Sequence, residues 1–209
     1  SCATMVYPNS LGLKKIILDN NYCDSEKLKV LANGSSNGID TAYFNPELYT
    51  EEQNLRLENE LGIQTDDFFF IFVGRLVKDK GINEMVSAFE LLQKENSSLK
   101  LLLVGDYEND LDPLNPKTVE SINTNSSILS VGFKNDVRPY LAIANVLVFP
   151  SYRDGFPNVV MQAGAMGLPS IVSDINGCNE IIIEQENGLI IPVKDEMAIF
   201  LAMKKMVTN

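Results

Sequence analysis

Short runs of continuous apolar residues alternate along this chain with stretches in which apolar side chains return every three or four positions. The clearest runs are Phe68–Val73, Leu99–Val104, Ile128–Val131, Val146–Phe149 and Ser170–Val172. Runs that are apolar at consecutive rather than alternate positions predict strands buried on both faces. Between the first two, from Asn83 onward, Met85, Val86, Phe89 and Leu92 fall at helical spacing. Asn135–Ala144, Asn158–Gly167, Asn179–Glu186 and Glu196–Val207 are the later predicted helices. Strand and helix in alternation predict an α/β fold, a Rossmann-like parallel sheet with helices on both faces.

The first 67 residues have a different texture. Ala3–Pro8 and Leu28–Ala32 are predicted as strands and Leu11–Asn20 as a helix, and NGSSNGID at Asn33–Asp40 is turn chemistry without periodicity. The expected organisation is a tail of a preceding domain at 1–32, an interdomain linker at 33–67, and a ligand-binding domain at 68–209. A chain that opens on Ser and stops within an apparent helix is expected to be an excised piece.

Composition narrows the function. With 45% hydrophobic and 22% charged residues, the chain reads as a globular protein. A net charge of −11, from 17 basic and 28 acidic side chains, excludes a general nucleic-acid binder, which needs a basic surface. The chain has no histidine, so the commonest general base and the commonest zinc ligand are both missing. Cys2, Cys23 and Cys178 form an odd set without CxxC spacing, which fits a reducing cytoplasm better than a disulfide framework. No apolar run approaches the roughly 18 residues of a spanning helix.

Three elements at predicted strand ends can carry ligand chemistry, and in open α/β sheets that edge is where ligands bind. The first is GRLVKDKG at Gly74–Gly81, where Arg75 and Lys80 can converge. A guanidinium fork and an ammonium point charge together suit a diphosphate, although a solvated basic turn would look the same. The second is Gly132–Phe133, where glycine admits a planar ligand close to the backbone. A core phenylalanine behind a turn glycine is the competing reading. The third is Ser151–Asp174, SYRDGFPNVVMQAGAMGLPSIVSD, in which Asp154, Gly155, Phe156, Pro157 and Asn158 lead into an apolar helix. Open amides at such a helix start hold anions. Proline and an Asn158 cap account for the helix entry alone, but not for Asp154 beside it. Gln162 lies about one turn in, facing back toward a ligand. Met161, Met166 and Met203 are expected to fill core space.

GRLVKDKG, LKLLLVGD, the segment from VGFKNDVRPYLAIANVLVFP through NGCNEII, and NGLIIPVKD resemble, in order and spacing, the nucleotide-sugar-binding half of retaining GT-B glycosyltransferases of family 4, the glycosyltransferase group 1 family. The resemblance runs from about Asn33 to the C-terminus. It implies that the fold is the C-terminal half of a GT-B enzyme, with the acceptor site and any catalytic histidine in an N-terminal domain of which 1–32 is the remnant.

By the same resemblance, Arg75 and Lys80, beside Gly74, hold the donor diphosphate and stabilise the departing nucleoside diphosphate, with no cofactor and no divalent metal required. The amides of Asn158 and Val159 after Pro157 hold the distal phosphate. Gly155 and Phe156 shape the sugar pocket, Gly132 and Phe133 flank the base, Asp154 contacts the donor sugar, and Gln162 binds ribose hydroxyls. The family pattern E-x7-E reads D-x7-Q here. Asp154 is one methylene shorter than glutamate, and Gln162 exchanges charge for a donor and an acceptor.

The implied reaction is transfer of a sugar from a UDP- or GDP-type donor to a glycan or lipid-linked acceptor with retention, in capsule, lipopolysaccharide or exopolysaccharide synthesis. The implied place is the bacterial cytoplasm, at most peripheral to the inner membrane, and this piece alone is expected to bind donor without turnover. A sugar-nucleotide epimerase shares the architecture, although GRLVKDKG and GFPNVV favour a transferase. A non-catalytic nucleotide-binding module would carry D-x7-Q as a degraded site. A dinucleotide dehydrogenase is disfavoured, because no GxGxxG follows the first strand.

Overall fold

The computed structural model of the chain describes residues 2–64, 66–108 and 110–208. Among them, six strands form one parallel sheet: β1 (Phe68–Val73), β2 (Leu99–Val104), β3 (Ile128–Ser130), β4 (Val146–Phe149), β5 (Ser170–Ser173) and β6 (Gly188–Ile191). Their spatial order is β3-β2-β1-β4-β5-β6. The helices are α1 (Leu11–Asp19), α2 (Glu51–Glu60), α3 (Ile82–Gln93), α4 (Pro116–Thr124), α5 (Arg138–Ile143), α6 (Asn158–Ala165), α7 (Cys178–Ile181) and α8 (Glu196–Thr208).

The strand order reverses between β1 and β4. Because parallel crossovers are right-handed, the helices before and after that reversal cover opposite faces of the sheet. α3 packs against α4 and α8, while α5 rests on β1, α6 on β4 and β5, and α7 on β5. The doubly wound sheet read from the sequence is the one present. β1 is its axis, and its Phe70, Ile71 and Phe72 are wholly buried. α3 supplies Ile82, Met85, Val86, Ala88, Phe89 and Leu92 to the same core, a stripe at helical spacing. Met166 and Met203 are core residues as expected, and Met161 is partly buried.

Several predicted elements differ. Ala3–Pro8 and Leu28–Ala32 are not strands: they meet in one parallel bridge, Val6 to Leu28, with no neighbour on either side to extend a ladder. The stretch 33–67 contains α2, closed by a Thr50–Gln53 capping box, and a 3-10 turn at Pro46–Leu48. α2 carries few apolar residues, so its periodicity is faint; Leu57 packs with Ile63, Phe69 and Ile143. α4 went unpredicted for the same reason, burying only Thr118 and Ile122. β6 is an edge strand that the sequence did not distinguish from a loop. Asn135–Ala144 shortens to α5, with Pro139 near its first turn. Asn179–Glu186 contracts to α7, because the chain turns at Gln185, φ 67°, to enter β6.

The N-terminal segment is fastened to the same edge of the sheet. None of the residues of α1 is fully buried. Its first turn is nevertheless held at both ends of one carboxylate, with Leu11 N–H donating to Glu180 Oε2 at 2.7 Å and Gly12 N–H to Glu180 Oε1 at 2.9 Å.

Candidate functional site

A crevice forms where neighbouring strands lead to helices on opposite faces, beyond the carboxyl ends of β1 and β4. The loops leaving those strands are tied to each other. Tyr152 N–H donates to the Asp79 carbonyl at 2.8 Å, and Arg153 Nε donates to Asp79 Oδ2 at 3.1 Å. Asp79 N–H in turn donates to Asp112 Oδ2 at 2.6 Å. Gly81 starts α3 in the left-handed region, φ 72°, with the Pro150 carbonyl where a Cβ would stand. Only glycine meets both requirements.

This fastening fixes Lys80. Its Nζ lies 3.0 Å from Asp154 Oδ2, 3.4 Å from Ser151 Oγ, and 5.3 Å from the centre of the Phe149 ring. Asp154 uses its other oxygen as well, Oδ1 accepting from Gly155 N–H at 2.9 Å. Ser151 is fully buried and donates to the Arg153 carbonyl at 2.9 Å, so it shapes the turn. Tyr152 donates to Glu84 Oε1 at 2.6 Å; burial, followed by the Glu84 contact, raises its pKa.

Arg75 and Lys80, which the sequence suggested could converge, are each paired with a different carboxylate. Arg75 donates through Nη1 to Glu108 Oε2 at 2.5 Å, and it lines a cavity of about 550 Å³ with Glu108, Asp112, Arg153 and Lys194. Gly74, just before it, continues the β1–β2 ladder, its N–H donating to the Val104 carbonyl at 2.9 Å.

α6 begins directly after the Asp154 loop. The N-cap is Pro157 rather than Asn158, and no side chain caps the helix. Asn158 is instead the first helical residue and is exposed. Among the described residues, the amides of Asn158 and Val159 have no partner, whereas Val160 N–H donates to the Pro157 carbonyl at 3.2 Å. Two donors and the positive end of the helix dipole are therefore open at the end of the loop whose Asp154 holds Lys80. Gln162 lies one turn along, partly buried, its amide unpaired among the described residues.

The loop is buttressed from behind. Gly177 has φ 76°, and a Cβ there would stand 2.5 Å from the Gly155 carbonyl oxygen and 2.6 Å from Phe156 Cα. Next to it, Cys178 is fully buried, and its thiol is pushed up to about 12 by burial and then by Asp154, with Lys80 acting in the opposite sense. Asn9 approaches Gly155 from the N-terminal segment, and Phe156 packs beside Gly34. Phe133 is 65% exposed, which rules out the core reading. Its N–H donates to Asp106 Oδ1 at 3.0 Å, while the Gly132 carbonyl accepts from Gly105 N–H at 2.9 Å.

Four residues that shape this region were not singled out from the sequence: Asp79, Glu108, Glu180 and Asn9. Glu180 had a local signal, its place three residues after Gly177 at a helix start, from which its Oε1 accepts from Gly177 N–H at 3.4 Å. The others act through tertiary contacts that leave no mark on periodicity.

Residues 54–209 match the family described as Glycosyl transferases group 1. The chain belongs to that family. Over 209 residues, all of this chain and 53% of the relative, it is 30% identical to the capsular polysaccharide biosynthesis glycosyltransferase CapM of Staphylococcus aureus. It is 32% identical over 186 residues, 87% of this chain and 46% of the relative, to the Escherichia coli UDP-Gal:alpha-D-GlcNAc-diphosphoundecaprenol alpha-1,3-galactosyltransferase. The group 1 chain described here thus spans about half the length of the curated relatives it matches. Anabaena Alr3699/HepE in complex with UDP-glucose superposes with a TM-score of 0.83 at 19% identity, over 98% of this chain and 54% of that one. That likeness establishes the fold, the Rossmann-like C-terminal half of a GT-B protein. Among the described residues, no helix is long and apolar enough to cross a membrane.

Proposed function

We propose that this chain is the donor-binding half of a retaining family 4 glycosyltransferase that moves a sugar from a nucleoside diphosphate sugar to a glycan or lipid-linked acceptor. What supports it is that Lys80 pairs with Asp154 in the loop that leads into α6, whose first amides, Asn158 and Val159, have no partner among the described residues. A cation beside a helix N-terminus stabilises a diphosphate, and it does so most as the sugar–oxygen bond breaks and charge gathers on the leaving group. In this reading Lys80 and Arg75 carry that charge. The exposed Phe133 flanks the base, Gln162 takes the ribose hydroxyls, and the Asp154–Phe156 loop borders the sugar.

The similarity to CapM and to the E. coli galactosyltransferase supports polysaccharide synthesis at a lipid-linked acceptor; assignment to capsule, lipopolysaccharide or exopolysaccharide synthesis on the cytoplasmic side is part of the same proposal. The UDP-glucose in Anabaena HepE and the UDP-galactose in the E. coli relative's name favour a UDP donor over GDP.

Calorimetric titration of the chain with UDP, GDP, UMP and their sugars tests the assignment. UDP is expected to bind at least tenfold more tightly than UMP, because the second phosphate adds charge-assisted hydrogen bonds. Absence of heat with every nucleoside diphosphate, in a chain whose circular dichroism is that of an α/β fold, would sink it.

A further inference from the structure

Arg75 is paired with Glu108, a residue on the loop that continues β2 beside the one that continues β1. The β1–β2 ladder continues past both strands: Leu76 N–H donates to the Asp106 carbonyl at 2.8 Å, and Leu76 bridges Tyr107 in parallel register. That register sets Arg75 beside Asp106 and Val77 beside Glu108, and the Arg75 side chain reaches across it to Glu108, Nη1 lying 2.5 Å from Oε2. The two side chains are 54% and 34% exposed, free enough to separate. Every other cation around their cavity has its own partner. Arg153 is bound to Asp79, and Lys194 lies 4.8 Å from the centre of the Tyr152 ring. Glu108 is therefore the group that holds Arg75 at this cavity.

We infer that Glu108 is a positioning residue for donor exchange. It holds the Arg75 guanidinium while the site is empty, yields it to the donor diphosphate, and recovers it as the nucleoside diphosphate leaves. The inference rests on the donor-site reading above. It adds that diphosphate binding is an exchange of one anion for another on Arg75, so Glu108 weakens nucleotide binding and hastens product departure. An arginine held by a flexible carboxylate also stays within reach of the site.

Calorimetry with UDP and GDP on the wild-type chain, Glu108→Gln, Arg75→Ala and the double variant tests this, with thermal unfolding confirming that each folds. Arg75→Ala should weaken binding about tenfold, the scale of a charge-assisted contact. Glu108→Gln should tighten it about two- to fivefold, the scale of an exposed ion pair. In the Arg75→Ala background Glu108→Gln should have no effect, and the affinity for the bare nucleoside should not move in any variant. A role of Glu108 in folding alone would not produce tightening. Unchanged or weaker binding in Glu108→Gln overturns the inference, as does equal tightening without Arg75. If nucleotide binds but Arg75→Ala has no effect, the inference falls while a site built on Lys80 stands. If the wild-type chain binds no nucleoside diphosphate, the donor-site reading falls and takes this inference with it.

Discussion

Lys80 and Asp154 face each other at 3.0 Å across the loops that follow β1 and β4, with only 15% and 24% of their side chains exposed. Each therefore answers for the other's charge. Lys80→Ala leaves a largely buried carboxylate without a counter-ion, which should cost about 1–3 kcal/mol of stability. Adding Asp154→Asn should recover most of that loss in thermal unfolding. Nucleoside diphosphate affinity, at least tenfold weaker in Lys80→Ala, should not return with it. Recovery of both quantities would remove Lys80 from the phosphate site.

The proposed donor site gives Gln162 to the ribose and not to the phosphates. Gln162→Ala should weaken UDP about fivefold, one hydrogen bond's worth, and leave inorganic pyrophosphate unaffected. Titration with both ligands reads the difference. Equal loss for the two would mean that the substitution disturbs α6 itself.

Gly81→Ala should lower stability by about 2 kcal/mol or more, because a left-handed φ of 72° and the adjacent Pro150 carbonyl both oppose a side chain. Chemical denaturation measures it. A neutral outcome would show that the loop after β4 can shift without loss of the Lys80 contact.

Asp136 lies beneath Arg138, whose Nη2 approaches Asp136 Oδ2 at 2.6 Å; this hydrogen bond chiefly holds the carboxyl below its ordinary range. A depressed folded pKa means stability that is present above the unfolded value, about 3.9, and lost as pH falls through the lower folded value. The melting temperature of the wild type should exceed that of Asp136→Asn at pH 6, and the gap should narrow once pH falls below the unfolded value, about 3.9, closing only below the lower folded one. A gap independent of pH would contradict the assignment.

Cys178 gives the opposite sign. Its thiol is pushed up to about 12, chiefly by burial, so its contribution is whole below the unfolded value, about 8.5, and declines as pH rises toward the folded one. Thiol titration of the native chain at pH 8 should label Cys2 and Cys23 quickly and Cys178 only on unfolding, since the first is exposed, the second partly so and the third buried. Rapid labelling of all three would show that the Gly177–Cys178 turn opens readily.

How much was legible follows from what each element depends on. β1, β2 and α3 announce themselves because burial on both faces, or on one stripe, is written in consecutive or spaced apolar residues. The Lys80 and α6 halves of the site could be read because a strand end, a glycine and a helix entry are local events. α2 and α4 could not, since their few apolar contacts leave mostly polar sequence behind. The Arg75–Glu108 pair was hidden for another reason: it depends on the register between β1 and β2, which no single segment encodes. Lys80 met Asp154 where phosphate and sugar roles had been read separately, because a chain without ligand satisfies its buried ammonium from within.

Glu180 binds the first turn of α1 by two amides, and one helical turn away Gly177 touches the Gly155 carbonyl. Two contacts thus join the N-terminal segment to the Asp154–Phe156 loop. In mechanical terms α7 is a strut: the short helix whose Glu180 is tied to the first turn of α1 has at its N-cap the Gly177 that backs Gly155, so one four-residue element braces both.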